Sequence, residues 1–402
     1  MKVLISHPGR QNSDQAALAL ERAGLLAAYW AGVPSRDAQQ SWIPRSIRRR
    51  FIRYAQVDIA DERAKWLPIA VGLRRMGQWS HIPLAAQCLD LLACRAFDKQ
   101  VAWRLGAAHA SAVMASEISA LDTFRAAKAR GMGTILDAAS FHFATQDRVY
   151  HTAEPAWMHK KIIRVKEAEI RLADHILTVS ELARASYLEA GVESGRVHAV
   201  PLGADIELFR PDPELRAIRR GSGKFTFVFA GAMSRRKGVD LLLEAFSRLE
   251  QRLPGAAALL LIGPRADAAQ LVDQCGYTSV KTLPPVALSE LRRVYCQGDC
   301  FVLPSRHDSF GMVVAEAMAC GLPAIVSDMV GAKNMIEEGV SGWVTPLEDV
   351  SALFERMTWC VCNRDAVAQM GPAARAAAER NRWELYRDRL ASLIKRLLDT
   401  SN

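Results

Sequence analysis

Short, unbroken apolar runs alternate with stretches of helical length on both sides of one break rich in proline and glycine, and that pattern constrains the fold most. The runs Val3 to Ser6, Thr134 to Leu136 and His175 to Val179 precede the break. Phe225 to Ala230, Ala258 to Ile262, Cys300 to Leu303 and Ala324 to Ser327 follow it. Apolar runs without period-two alternation are strands buried on both faces. Between them the spacing predicts helices over 15–24, 123–130, 160–172, 181–189, 238–249, 311–320 and 382–398, with Ser180 able to cap the fourth. Strand–helix alternation implies a parallel sheet covered by helices on both faces. Pro201, Gly203, Pro211, Pro213, Gly221 and Gly223 interrupt it. The 402 residues therefore divide into an α/β domain over 1–205, a second over 206–381, and a C-terminal helix over 382–402 for which packing back on the first domain is one placement.

Composition narrows the setting. Eight cysteines form no CxxC pair and no zinc spacing, and read as buried thiols in a reducing compartment. The start, Met1-Lys2-Val3-Leu4-Ile5-Ser6, enters a strand directly, without the layout of a signal peptide. No apolar run has the length of a membrane span. These features lead to the expectation of a cytoplasmic protein. The net charge of +9 favours anionic partners, among them nucleotides, phosphates and anionic lipid, without choosing between them. No nucleic-acid-recognition motif accompanies it.

The most informative segment runs from Leu303 to Ser327. A strand end leads through Pro304-Ser305-Arg306-His307-Asp308-Ser309-Phe310 into a helix at Gly311, and a Gly321-Leu322-Pro323 turn feeds the next strand. Loops at the carboxyl ends of parallel strands are where such sheets bind ligands. The N–H groups of Phe310, Gly311, Met312 and Val313 stand at a helix start and suit a diphosphate or sugar hydroxyls, with Ser309 beside them. Asp308 lies at the helix mouth and Glu316 about one and a half turns in. As isolated residues they could be a cap and a solvated side chain. Glu316, however, sits between Met312-Val313-Val314-Ala315 and Ala317-Met318-Ala319-Cys320, where a charge needs a partner.

This segment resembles the Glu/Asp-x7-Glu motif of the retaining glycosyltransferases of family 4, which have the GT-B fold: two Rossmann-like, doubly wound parallel-sheet domains facing a cleft. Val200-Pro201-Leu202-Gly203-Ala204-Asp205 and Phe209-Arg210-Pro211 resemble that family's crossing between domains. The resemblance implies a hexosyltransferase-type enzyme that moves a sugar from a nucleotide-diphosphate sugar to a glycan or lipid-linked acceptor, with retention and without a metal or other cofactor. Cell-surface polysaccharide or glycolipid biosynthesis is the implied setting. Asp308 would face the donor sugar and Glu316 would bind the ribose. Asp308 is one methylene shorter than the commoner Glu.

A second loop, Gly231-Ala232-Met233-Ser234-Arg235-Arg236-Lys237-Gly238, carries three cations before a helix. It is either a basic surface turn or a diphosphate site. The resemblance assigns Lys237 to the diphosphate, but Ala232 stands where the family usually has arginine. Arg236, or else Arg235, is expected to supply that charge. His142, after the strand at Thr134, is either a structural histidine or, by the resemblance, a residue facing the donor sugar. Gly9, in His7-Pro8-Gly9-Arg10-Gln11-Asn12, is the weakest candidate for donor contact.

The segment from Arg45 to Tyr54 is basic with interleaved apolar residues, and Lys65-Trp66 and Arg74-Arg75 continue it. It suits the inner face of a plasma membrane, an acidic acceptor or plain solvation. Two other functions fit the same fold, a sugar-nucleotide epimerase and a catalytically inactive sugar-nucleotide-binding homologue. The donor sugar, base, acceptor and linkage are not legible.

Overall fold

The computed structural model describes residues 1–9, 11–32, 59–60, 62–80, 82–149, 154–215 and 223–399. The Arg45–Tyr54 segment lies outside these residues. The strands of the first half are β1 (Val3–His7), β2 (Leu26–Ala31), β3 (Ala64–Trp66), β4 (Ala112–Ser116), β5 (Gly133–Ala138), β6 (His175–Thr178) and β7 (Val197–Ala199). Its helices are α1 (Ser13–Arg22), α2 (Ile69–Trp79), α3 (Pro83–Arg104), α4 (Leu121–Lys128), α5 (Phe143–Val149), α6 (Ala156–Leu172) and α7 (Glu181–Glu189). The second half has β8 (Phe225–Ala230), β9 (Ala257–Ile262), β10 (Val280–Leu283), β11 (Cys300–Leu303), β12 (Ala324–Ser327) and β13 (Gly342–Thr345). Its helices are α8 (Val239–Arg252), α9 (Ala269–Gln274), α10 (Leu288–Cys296), α11 (Met312–Ala319), α12 (Val350–Cys362), α13 (Arg364–Gln369), α14 (Gly371–Glu379) and α15 (Trp383–Asp399).

Two sheets result, ordered β3-β2-β1-β4-β5-β6-β7 and β10-β9-β8-β11-β12-β13. Every pairing between these strands is parallel. In each sheet the order reverses beside the first strand of the half, at β1/β4 and at β8/β11. Crevices open at the carboxyl ends of the strands at such reversals. β8, β11 and β12 are buried throughout, as unbroken apolar runs require.

Residues 200–224 carry the chain from one sheet to the other, and 380–383 carry it back. The two crossings touch. Ala204 N–H donates to Asn381 O at 2.9 Å, and Trp383 N–H to Ala204 O at 3.3 Å. A Cβ on Gly203 would lie 2.5 Å from Arg382 C, so glycine permits this approach. α15 then packs against α1, where Arg387 Nη1 donates to Gln15 Oε1 at 2.7 Å.

Two expectations change. Cys94, Cys296, Cys300, Cys320 and Cys360 are buried, but Cys88 and Cys275 are half-buried and Cys362 is exposed, because α3, α9 and α12 each turn that position toward solvent. Trp66 and Arg74 do not extend a basic outer face. Trp66 Nε1 donates to Gly32 O at 2.8 Å, while Arg74 bonds Pro8 O, Cys94 Sγ and Asp90.

Candidate active site

The two loops singled out in the sequence are held together by backbone. Gly238 adopts φ +72°, and a Cβ there would lie 1.9 Å from Pro304 O, so only glycine lets the β8–α8 loop settle on the end of β11. Arg306 binds the loops further. It donates to Arg235 O at 2.6 Å, to both carboxylate oxygens of Asp240 at 2.8 and 3.0 Å, and to Glu348 at 2.6 Å. Arg306 N–H also donates to Arg236 O at 2.9 Å. The Lys237 ammonium consequently meets the Asp308 carboxylate in a well-covered ion pair. Asp308 is fixed on its other side by backbone bonds to Met329 and Gly331.

α11 begins immediately after. Gly311, at φ +88°, is its N-cap, without a side-chain cap. The first hydrogen bond of this turn runs from Val314 N–H to Gly311 O at 2.8 Å. The preceding amides thus carry the unsatisfied partial charge of a helix start. Glu316 follows on the same helix. Its Oε2 accepts from Tyr295 OH at 3.3 Å, and burial pushes its pKa up to about 7, against the opposing pull of that bond.

These groups face one cavity of about 560 Å³ between the two sheets. Lys237, Asp308, Ser309, Phe310, Gly311, Met312, Val313 and Glu316 line one wall; Gln11, Asn12, Asp14, Gln15 and Ala139 line the other, and Trp383 of α15 joins them. The walls touch at Ser309: its Oγ donates to Ala139 O, and its carbonyl accepts from Ser180 Oγ, both at 2.6 Å. Ser180 also caps α7 as expected, accepting from Ala183 N–H at 3.0 Å.

The remaining candidates stand elsewhere. Arg236 Nη1 donates to His307 O at 2.9 Å, beside the cavity wall rather than on it. Arg235 is largely exposed and reaches Asp240 at 3.4 Å. The His142 ring packs on Phe143 and Tyr187, its Nδ1 accepts from Ala144 N–H at 3.3 Å, and burial lowers its pKa. It does not line the cavity. Neither does Gly9, whose N–H is taken by His7 Nδ1 at 2.9 Å. Among the described residues no group of three or more His, Cys, Asp or Glu is placed to hold a metal ion.

Several contributors escaped the sequence reading. Gln11, Asn12, Asp14 and Trp383 carry no motif, although a position such as Gln11, at φ 37°, marks a specialised turn. Lys166 forms a well-covered pair with Glu117 at 3.0 Å, and Ser140 Oγ bonds the same carboxylate at 2.5 Å. His307 packs edge-on against Phe141, with ring centroids 4.8 Å apart. Burial first, then Arg236, lowers its pKa to about 4, so the ring is neutral.

Residues 224–363 match the family described as glycosyl transferases group 1. That stretch of the second half is similar to that family. Among curated relatives, the D-inositol 3-phosphate glycosyltransferase of Xylanimonas cellulosilytica is 30% identical over 48% of this chain and 50% of its own. The GDP-mannose-dependent alpha-(1-6)-phosphatidylinositol monomannoside mannosyltransferase of Mycobacterium tuberculosis is 27% identical over 61% of this chain and 68% of its own. The chain thus spans about half the length of the first of these relatives. The sucrose-phosphate synthase of Thermosynechococcus elongatus superposes over 100% of both chains with a TM-score of 0.74 at 20% identity. The fold is GT-B.

Proposed function

We propose that this protein transfers a hexose from a nucleotide-diphosphate sugar to a hydroxyl of a glycan or lipid-linked acceptor, with retention and without a metal ion. The observation that carries this is the convergence of the Lys237–Asp308 pair, the α11 amides and Glu316 on one cavity. An ammonium and a helix start suit a leaving diphosphate, and a carboxylate about one and a half turns along suits a ribose diol. Lys237 stabilises the departing phosphate. Asp308 keeps that lysine in place and faces the sugar. Arg236 is the cation near enough to reinforce Lys237 where Ala232 supplies none. Residues 206–381 are then the donor side, and 1–205, with the 382–402 helix, the acceptor side.

A lipid-linked acceptor at the inner face of the plasma membrane is the finer reading. It is supported by the phosphatidylinositol monomannoside in the name of one relative. The charge of +9 and the exposed Ile69, Met76 and Trp79 on α2 agree with contact to anionic lipid. Flotation on anionic vesicles tests it: Arg48/Arg49/Arg50→Ala and Trp79→Ala should each reduce recovery, and equal flotation removes membrane contact.

The transferase itself is tested by melting the protein against a panel of nucleotide sugars, then identifying products. Only the true donor or its nucleoside diphosphate should raise Tm clearly. A glycosylated acceptor supports the proposal; an epimerised sugar nucleotide, or no turnover with any donor that binds, overturns it.

A further inference from the structure

We propose that Tyr295 is a positioning residue for Glu316: its buried hydroxyl tethers one carboxylate oxygen so that the other is presented to the ribose diol of the donor. This rests on the reading of Glu316 as the nucleoside-binding acid.

Tyr295, on α10, is fully buried. Its ring is wedged between Phe209 and Phe301, with centroids 5.9 Å away in each case, the Phe301 contact edge-on at 82°. The phenol therefore has little freedom. A hydroxyl at that depth costs stability unless it is hydrogen-bonded. Its partner is Glu316 Oε2 at 3.3 Å, the one hydrogen bond to that carboxylate among the described residues. Burial and the neighbouring carboxylate push the phenol pKa well up, so Tyr295 stays protonated and donates.

A glutamate free on a helix surface samples many rotamers and must lose them to grip a vicinal diol. Glu316 is spared most of that loss. One oxygen is pinned from below by a rigid ring, while the side chain lines the cavity. The nearby groups do not duplicate the tether. Cys320 is the C-cap of the helix that carries Glu316, and Arg375 of α14 bonds the carbonyls of Ile206, Phe209 and Ala319. Lys237 and Asp308, on the same cavity wall, are paired with each other.

The tether also favours the ionised acid. Burial raises the Glu316 pKa and the Tyr295 bond opposes that rise. Without the hydroxyl the acid protonates at higher pH, and donor binding should weaken at a correspondingly higher pH.

The test is calorimetric titration of the full chain with UDP, GDP, ADP and CDP, from about pH 6 to about pH 9, for the wild type, Tyr295→Phe, Glu316→Gln and the double variant. With the nucleotide that binds the wild type tightest, Tyr295→Phe should weaken binding on the order of tenfold near neutrality. It should also move the acid-side loss of binding to higher pH. In turnover the penalty should fall on KM for the donor more than on kcat. On the Glu316→Gln background the same change should cost nothing further. An equal cost in both backgrounds, or an unshifted pH profile, would show a merely structural tyrosine and overturn the proposal. If Glu316→Gln weakens binding and Tyr295→Phe does not, the tether alone fails. If Glu316→Gln binds normally, or none of the four nucleotides binds, the nucleoside-site reading fails with it.

Discussion

The two halves share a fold and differ in where they keep their ionisable side chains. In the first half, His7, Asp14, Asp98, Asp137, His142, Lys166 and Glu169 are all buried. In the second, the one charged residue buried to that degree among the described residues is Arg387, and it sits on the helix that packs against the first half. The second half instead has an apolar interior and sets its ionic groups at the cavity edge, where Lys237 and Asp308 keep slight exposure. Buried ionisable groups are structural in the first half to a degree that they are not in the second. Glu169 is the clearest case: it is fully buried and accepts from Ile118, Ala120 and Leu121 N–H at 2.8, 2.9 and 3.1 Å, while Asp98 takes the next two amides of α4. Two carboxylates from α3 and α6 thus secure a helix start that elsewhere a serine or threonine would cap.

That contrast can be broken by substitution. The largest effect is expected from Glu169→Ala, which strands three amides, two of them buried, and should lower unfolding free energy by about 3–5 kcal/mol in urea titration. A loss below about 1 kcal/mol would mean the first half does not depend on its interior charge. Lys237→Met should reduce kcat by about 10²–10³, and Tm should also fall because Asp308 loses its partner. Adding Asp308→Asn should restore Tm but not turnover. Restored turnover would make the pair structural, like those of the first half.

Next comes a pH effect. Glu316 has a folded pKa raised from 4.5 to about 7. Its contribution to stability is complete below the unfolded value and is lost as pH rises through the folded one. Glu316→Gln should therefore gain on the wild type by about 3 kcal/mol between about pH 4.5 and pH 8. A constant difference between the two proteins across that range would show that the acid is not enclosed. The smallest effect sharpens the comparison at the meeting of the halves. A Cβ on Gly331 would lie 2.1 Å from Ser309 O and 2.7 Å from Ser180 Oγ. Gly331→Ala should cost about 1–2 kcal/mol and raise KM for the donor, because the Ser180–Ser309 contact must open. Unchanged donor KM would separate that contact from the cavity.

Legibility was uneven in both halves, and in the second β10, β13, α9, α10, α12, α13 and α14 went unread. Strands at Phe225, Cys300 and Ala324 were found at their observed bounds, since each is a buried apolar run closed by polar or glycine signals. The Asp308–Glu316 spacing led directly to one wall of the cavity. β2, β3, β4, α2 and α3 went unrecognised between Gly24 and Thr123. α3 explains part of this: its 22 residues carry apolar side chains on every face, which erases the helical period. β4, Ala-Val-Met-Ala-Ser, is short and has Val113 as its one β-branched residue. The polar wall of Gln11, Asn12 and Asp14 comes from a loop and a first helical turn whose meaning exists only once β1 places them opposite Lys237.

The paired crossings at Ala204 and Arg382 mean that residues 205–381 enter and leave the molecule at almost the same point. In topological effect the second half is an insert hung from a single doorway, with the first sheet and α15 forming one continuous frame beside it. The frame supplies one wall of the cavity and the insert supplies the other.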